Sequence, residues 1–131
     1  MAENLTQNQI ITIAGRKKML RARAGEIRLP KILGFVFGDG GVDGSGKVIT
    51  PLENESTLKH ELLRKKYDSY TMLSDTQCKY QCTLGENELP GAEINEIGLY
   101  DEDGDIITIK RFTGKGKDAD ISMTFWMNDT F

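Results

Sequence analysis

The sequence contains little of what catalysis, metal binding or membrane insertion usually requires. Among its 131 residues there are two cysteines and a single histidine. The longest apolar run, Ile32 to Phe37, is interrupted by Gly34 and is far shorter than the roughly 20 residues that cross a bilayer. The start, Met1 to Asn4, lacks the basic and apolar segments of a signal peptide. These absences predict a protein that is made in the cytosol and does not enter a membrane.

The composition is typical of one globular domain. Hydrophobic residues make up 38% and charged residues 28%, which excludes wholesale disorder. Seventeen lysines and arginines against twenty acidic residues give a net charge of −3, which is not the overall charge of a nucleic-acid-binding protein. We expect a single compact domain over residues 1–131, with a flexible start at residues 1–9.

The cysteines and the histidine do not form a reactive set. In an extended strand Cys78 and Cys82 share a face but lie about 13 Å apart, which is too far for a disulfide. We expect reduced, buried thiols on a core face. His60 lies between Lys59 and Glu61 in a charged stretch and has no nucleophile partner, so we expect it to be solvated. The sequence therefore predicts no catalytic residue, no cofactor and no metal ligand, and indicates a protein that is not an enzyme.

Charge is unevenly distributed along the chain. The segment 16–31 contains one acid, Glu26, and seven basic residues: Arg16, Lys17, Lys18, Arg21, Arg23, Arg28 and Lys31. One interpretation is a nucleic-acid-binding arm, since clustered lysine and arginine neutralise phosphates. However, the segment contains no aromatic residue on which a base could stack. The pattern favours a solvated helix face, or a face that matches an acidic protein partner.

The first half of the chain predicts helices and one strand. Thr12 can cap a helix from Ile13 to Ala24 that Gly25 ends, with a narrow apolar stripe that would lie on a sheet. A short strand follows over Lys31–Phe37. Residues 38–47 are too rich in glycine for regular structure and are predicted to form a loop. Ser56 can begin a second amphipathic helix that runs to about Lys66.

The second half predicts antiparallel strands. Tyr67–Leu73 and Cys78–Leu84 flank a polar turn, and Glu93–Tyr100 and Asp105–Phe112 flank Asp103-Gly104. A further turn is expected at Gly114–Lys117. In the last strand, apolar residues alternate with polar residues and Trp126. The predicted fold class is α+β: one or two helices followed by a predominantly antiparallel β-sheet.

Two motifs suggest ligand chemistry but are incomplete. Gly41 to Lys47 has the spacing of a phosphate-binding loop, but Val48 replaces the hydroxyl residue that binds magnesium. A small nucleotide- or nucleic-acid-binding regulatory protein, using residues 16–31 and the glycine-rich loop, is therefore the alternative function. Asp101, Asp103 and Asp105 begin like a calcium-binding loop, but the glycine and glutamate that should follow are absent.

A series of short motifs resembles a known family. A helix start at Ile11–Gly15 precedes a strand that ends in Gly38-Asp39-Gly40, and a run from Ile94 to Asp105 follows later. The order is similar to that of the N-terminal domain of phage tail-collar fibre proteins, over roughly Ile10 to Met127. The residues that carry the resemblance are Gly38, Asp39, Gly40, Glu96, Ile97, Gly98, Leu99, Asp103 and Gly104.

The resemblance implies a structural role in the virion tail of a phage or phage-tail-like particle, after synthesis in the host cytoplasm. The domain would attach a fibre to the baseplate, and its partners would be baseplate or tail-fibre proteins in an oligomeric assembly, without nucleic acid or membrane. Since the sequence ends at Phe131 without a shaft or a tip, we expect an attachment module. The residues we expect at its interface are Arg16, Lys17, Arg21, Arg23, Trp126 and Phe131, although ordinary sheet packing is an equal alternative for Trp126.

Overall fold

One helix and eight strands make up the regular structure of residues 8–131, the part of the chain that this computed structural model describes. The elements are β1 (Gln9–Ile11), α1 (Ile13–Arg23), β2 (Ile32–Gly38), β3 (Glu61–Lys66), β4 (Ser69–Ser74), β5 (Gln77–Leu84), β6 (Glu93–Asp101), β7 (Ile106–Gly116) and β8 (Met123–Thr130). The fold is therefore mostly antiparallel sheet with one short helix, which agrees in outline with the predicted class.

The strands form two sheets. The larger has the order β1-β7-β6-β2-β3 and the smaller the order β4-β5-β8, with every pairing antiparallel. Side chains from both sheets make the main apolar core, in which the rings of Phe37 and Phe125 meet edge-on at 5.2 Å, and Val36, Leu58, Ile106 and Ile109 form a second, smaller cluster. The other buried members of the main core are Phe35, Cys82, Leu84, Ile94, Ile97, Leu99 and Met127.

Helix α1 begins and ends where the sequence predicts. The Thr12 hydroxyl accepts a hydrogen bond from the Gly15 amide at 3.1 Å, and Gly25 adopts a positive φ just beyond the helix. The predicted packing face is wrong, because Ile13 and Leu20 are exposed. The helix approaches β7 through Gly15, whose missing side chain allows the backbone to lie against Ile107.

The predicted second helix is also wrong. Glu61–Lys66 forms strand β3 at the edge of the larger sheet and pairs with β2 from Gly34 to Gly38. Leucines at positions 58, 62 and 63 fit a helical stripe, but Leu58 is buried before the strand begins, and Leu62 and Leu63 pack on the main core. Pairing with β2 therefore overrides the local helical preference.

Both predicted hairpins are confirmed, but the turn predicted after the second hairpin is wrong. Strands β4 and β5 pair around the predicted polar turn, and β6 and β7 pair around Asp103-Gly104. The turn expected at Gly114–Lys117 is instead the end of β7, where Lys115 and Gly116 pair with β6. In β8, Phe125 and Met127 are buried and Trp126 is exposed, as the alternation predicts.

Three smaller expectations concern the cysteines, the start of the chain and membrane contact. Cys82 is buried in the main core and Cys78 is half-buried, both as free thiols. Residues 1–7 of the expected flexible start lie outside the described residues. Gln9 in β1 pairs with Lys110 in β7. Within residues 8–131, α1 is too short and too polar to cross a bilayer.

Candidate docking interface

A buried carboxylate organises the motif residues at one end of the larger sheet. Glu96 on β6 is fully buried and accepts hydrogen bonds from the backbone amides of Gly40, Lys59 and His60 at 3.0, 3.1 and 2.9 Å. The next residue back, Asn95, accepts a hydrogen bond from the Gly41 amide at 2.7 Å. One strand therefore holds both the glycine-rich loop and the start of β3 in place.

Arg111 balances this carboxylate. Its Nε donates to Glu96 at 3.2 Å, and its two terminal nitrogens donate to Glu55 at 2.9 and 2.7 Å. The Arg111 side chain is completely buried, so burial opposes its charge, but the two carboxylates outweigh that cost and the pKa of Arg111 stays above its ordinary value. Hydrogen bonding to Arg111 in turn holds the pKa of Glu55 below its usual range.

The glycines of the motif allow two backbones and Glu96 to meet. A Cβ on Gly38 would lie 2.5 Å from the His60 carbonyl oxygen and 2.7 Å from a Glu96 carboxylate oxygen. A Cβ on Gly40 would lie 2.8 Å from the His60 nitrogen. Between these glycines, Asp39 is exposed and pairs with the His60 ring, which raises the pKa of His60. The histidine is solvated as expected, but it precedes a strand rather than lying in a helix.

The acidic hairpin turn holds a lysine. The carboxylates of Asp101, Asp103 and Asp105 converge on the Lys18 ammonium at 2.6, 3.0 and 2.7 Å. Burial opposes the charge of Lys18, but these hydrogen bonds outweigh it, and the pKa of Lys18 lies above its ordinary value. Lys18 of α1 therefore supplies the cation that these three carboxylates bind. Part of the positive charge of the segment 16–31 is thus neutralised within the molecule.

The glycine-rich loop folds around its own carboxylate. Asp43 Oδ1 accepts hydrogen bonds from the amides of Ser45 and Lys47 at 2.9 and 3.0 Å and from the Ser45 hydroxyl at 2.7 Å. A phosphate-binding loop would direct such amides at the ligand. These donors, which hold the pKa of Asp43 below its usual range, are already used by a negative group. The geometry disfavours the nucleotide-binding alternative.

Four of the six residues predicted at an interface lie on α1 and are exposed: Arg16, Lys17, Arg21 and Arg23. Arg16 and Arg21 form exposed ion pairs with Glu53 and Glu26. Lys17 and Arg23 have no ion pair within residues 8–131. Their helix face also carries Leu20, which is 66% exposed. The outer face of α1 is therefore both basic and partly apolar.

The two predicted aromatic anchors lie on β8 and beyond its end. Trp126 is half-exposed; its Nε1 donates to Gln81 at 3.0 Å, and the Lys79 ammonium lies over its ring. Phe131 is 61% exposed and its amide donates to the Thr76 carbonyl oxygen. Phe131 and Arg16 line one groove, whereas Trp126 lies on the outer face of the smaller sheet.

The motif residues and the predicted interface residues thus have different places in the fold. Gly38, Asp39, Gly40 and Glu96 meet in one cluster. Ile97 and Leu99 are in the core, Gly98 packs against β7, and Asp103 and Gly104 form the turn near Lys18.

Sequence reasoning missed Arg111 and Glu55. Glu96 and Arg111 are equally distant from the centre of the Asp103-Gly104 turn, and this symmetry was the signal that could have paired them.

Comparison with known proteins assigns the chain to a family. The model of the family described as phage tail-collar fibre protein, N-terminal, matches residues 1–123. No curated protein and no solved structure matches the chain.

Proposed function

The chain belongs to the N-terminal family of phage tail-collar fibre proteins, and from this premise we propose that it attaches a fibre to the tail baseplate of a phage or phage-tail-like particle. Membership of the family makes it a structural component of the virion tail. The attachment role, and the surface that performs it, are the proposal.

The outer face of α1 is the observation that carries the proposal. Lys17 and Arg23 have no acidic partner within residues 8–131, and Leu20 between them is exposed. An exposed leucine surrounded by cations fits a partner with an apolar patch bordered by acids, since such complementarity orients a complex as it forms. The acidic hairpin does not cover this face, because it binds Lys18 on the opposite side of the helix.

Phe131 and Trp126 extend the proposed contact region along β8. Large aromatic side chains supply much of the binding energy at protein interfaces. Phe131 lies in the same groove as Arg16 at the start of α1. We place Phe131 with α1 in the main interface, and Trp126 in a second contact on the outer face of the smaller sheet.

Assembly into particles tests this role. The double variant Lys17→Glu/Arg23→Glu reverses the two unpaired charges of α1 and leaves every ion pair of the helix in place. We expect its copy number in purified particles to fall at least tenfold, measured by quantitative mass spectrometry. Lys66→Glu/Lys115→Glu is the matched control, because both lysines are exposed and have no ion pair within residues 8–131, and Lys66 lies on β3 at the edge of the larger sheet opposite β1; it should assemble normally.

Two results would contradict the proposal. The first is a wild-type chain that is absent from purified particles. The second is a double variant, folded by circular dichroism, that assembles at the wild-type level. Salt-sensitive DNA binding that only the α1 variant loses would favour the nucleic-acid-binding alternative.

A further inference from the structure

Strand β4 is an unprotected edge of the smaller sheet. It lies at the end of the order β4-β5-β8, and all of its residues, Ser69–Ser74, are exposed. Its sequence contains no charged residue and no proline, features that commonly keep an edge strand from pairing with another chain. Tyr70, Met72 and Leu73 are 57%, 57% and 50% exposed. The strand therefore presents a backbone edge beside apolar side chains.

The other edges of the two sheets have the protection that β4 lacks. Strand β3 ends the larger sheet and is rich in charged residues: Glu61, Arg64, Lys65 and Lys66. Strand β1, at the opposite edge, is only three residues long. In β8 Trp126 alone is exposed, and the Asn128 carbonyl oxygen accepts a hydrogen bond from the Gln9 side chain. Among the strands of residues 8–131, β4 is therefore the edge best suited to bind a further strand.

The side chains of β4 are complementary to those of a second β4. Two identical antiparallel edges pair around a two-fold axis that is perpendicular to the sheet, so one residue lies opposite its own copy. With Thr71 at that axis, Tyr70 of each copy lies opposite Met72 of the other, on the face where these residues already adjoin Tyr80 and Cys78. Aromatic and thioether groups attract each other across strands, and β4 carries no charge that would repel its copy.

The local structure of β4 suits this pairing. Residues from Ser69 to Met72 pair with β5 one by one, and the register shifts only after Met72. The rings of Tyr67 and Tyr80 lie 6.1 Å from the ring of Tyr70 and support it from within the same molecule. The residues that would meet across the axis therefore belong to a regular stretch of strand.

We propose that two copies of this chain pair through β4 in an antiparallel dimer, which joins their three-stranded sheets into one continuous sheet. The pairing uses the free β4 edge of both copies, so it closes at two chains. The contact is smaller than a standard protein interface, and we expect a dissociation constant of about 100 μM. It does not involve α1 and does not depend on the attachment role.

Charges introduced at Thr71 test the pairing by sedimentation equilibrium of the purified full chain, at concentrations from about 10 μM to about 1 mM. Thr71→Lys places like charges opposite each other at the axis, and so does Thr71→Glu. Each variant alone should therefore dimerise at least tenfold more weakly than the wild type. An equimolar mixture of the two should recover the wild-type level, because opposite charges then face each other. Thr113→Lys, the same change at an exposed threonine of β7, is the matched control and should dimerise normally.

Each other outcome overturns the proposal. A wild-type chain that stays monomeric at about 1 mM would remove the dimer. Undiminished dimerisation of Thr71→Lys would place the contact on another surface. Thr71 variants that are folded by circular dichroism and stay monomeric when mixed would exclude a pair centred on Thr71. A monomeric chain whose β4 amides become protected from hydrogen exchange only in purified particles would assign this edge to a different tail protein.

Discussion

Glu96 and Arg111 face each other across β6 and β7, and both side chains are fully buried. The carboxylate also receives three backbone amides from the two segments that carry the glycine motif and the start of β3. A single ion pair therefore links the central hairpin to the segment that follows β2 and the segment that precedes β3. Each charge depends on the other, because an unpaired buried ion is costly.

Glu96→Gln is expected to destabilise the protein by about 3 kcal/mol. It leaves Arg111 buried with one carboxylate fewer, and it replaces one carboxylate oxygen, which accepts from two N–H groups, by an amide group that can only donate. Urea denaturation measures the change in the free energy of unfolding. Glu86→Gln, at an exposed position, is the control and should change that free energy by less than about 0.5 kcal/mol. Equal stability of the two variants would show that the buried pair does not hold the loops.

Gly38→Ala is expected to cost about 2–3 kcal/mol, because the new methyl group would overlap the His60 carbonyl oxygen and the Glu96 carboxylate. Gly44→Ala is the matched control in the same segment. A Cβ at Gly44 meets nothing within 4 Å, so this change should be neutral or stabilise by up to about 1 kcal/mol through the unfolded state. Thermal unfolding of both variants checks the difference; similar melting temperatures would contradict the close approach.

Lys18→Met is expected to destabilise the protein by about 2–3 kcal/mol. The variant keeps the apolar stem but leaves Asp101, which is 1% exposed, without its cation beside two further carboxylates. Lys17→Met, one position away and exposed, should be nearly neutral in the same chemical denaturation experiment. A loss of stability in Lys17→Met and not in Lys18→Met would mean that the helix packs through its other face.

The single histidine allows a direct pH test. The Asp39 carboxylate favours the protonated ring, so the pKa of His60 lies above its ordinary value of about 6.5. The contribution of this pair to stability is therefore complete below about pH 6.5 and is lost as the pH rises through the folded-state pKa. Asp39→Asn should lower the pKa of His60 toward 6.5, as followed by NMR of the one imidazole. An unchanged pKa in the variant would exclude the pairing.

The parts of the fold that sequence alone predicted are those with a strong local pattern. The Asp103-Gly104 turn and the alternating apolar residues of β5 and β8 determined their strands because turn geometry and side-chain period act over a few residues. The ends of α1 were predicted for the same reason, since a Thr12 cap and a glycine after the helix are local signals.

The parts that the sequence did not predict depend on distant partners. The leucines at positions 58, 62 and 63 have helical spacing, but residues 61–66 form a strand because their backbone pairs with the edge of β2. The helix packs through Gly15 and Lys18, a stripe that hydrophobicity cannot reveal, because one residue has no side chain and the other is charged. The contact between the Gln9 side chain of β1 and the Asn128 carbonyl oxygen of β8 joins strands that lie at opposite ends of the chain.

The motif residues maintain the fold, whereas the exposed residues of α1 are available for contacts with other molecules. Gly38, Gly40 and Glu96 are occupied in contacts inside one molecule, while Lys17 and Arg23 on the exposed face of α1 form no ion pair within residues 8–131. Surface residues can therefore diverge between lineages without loss of the scaffold. A match to the motif identifies this architecture, but it carries no information about which partner the exposed face of α1 contacts.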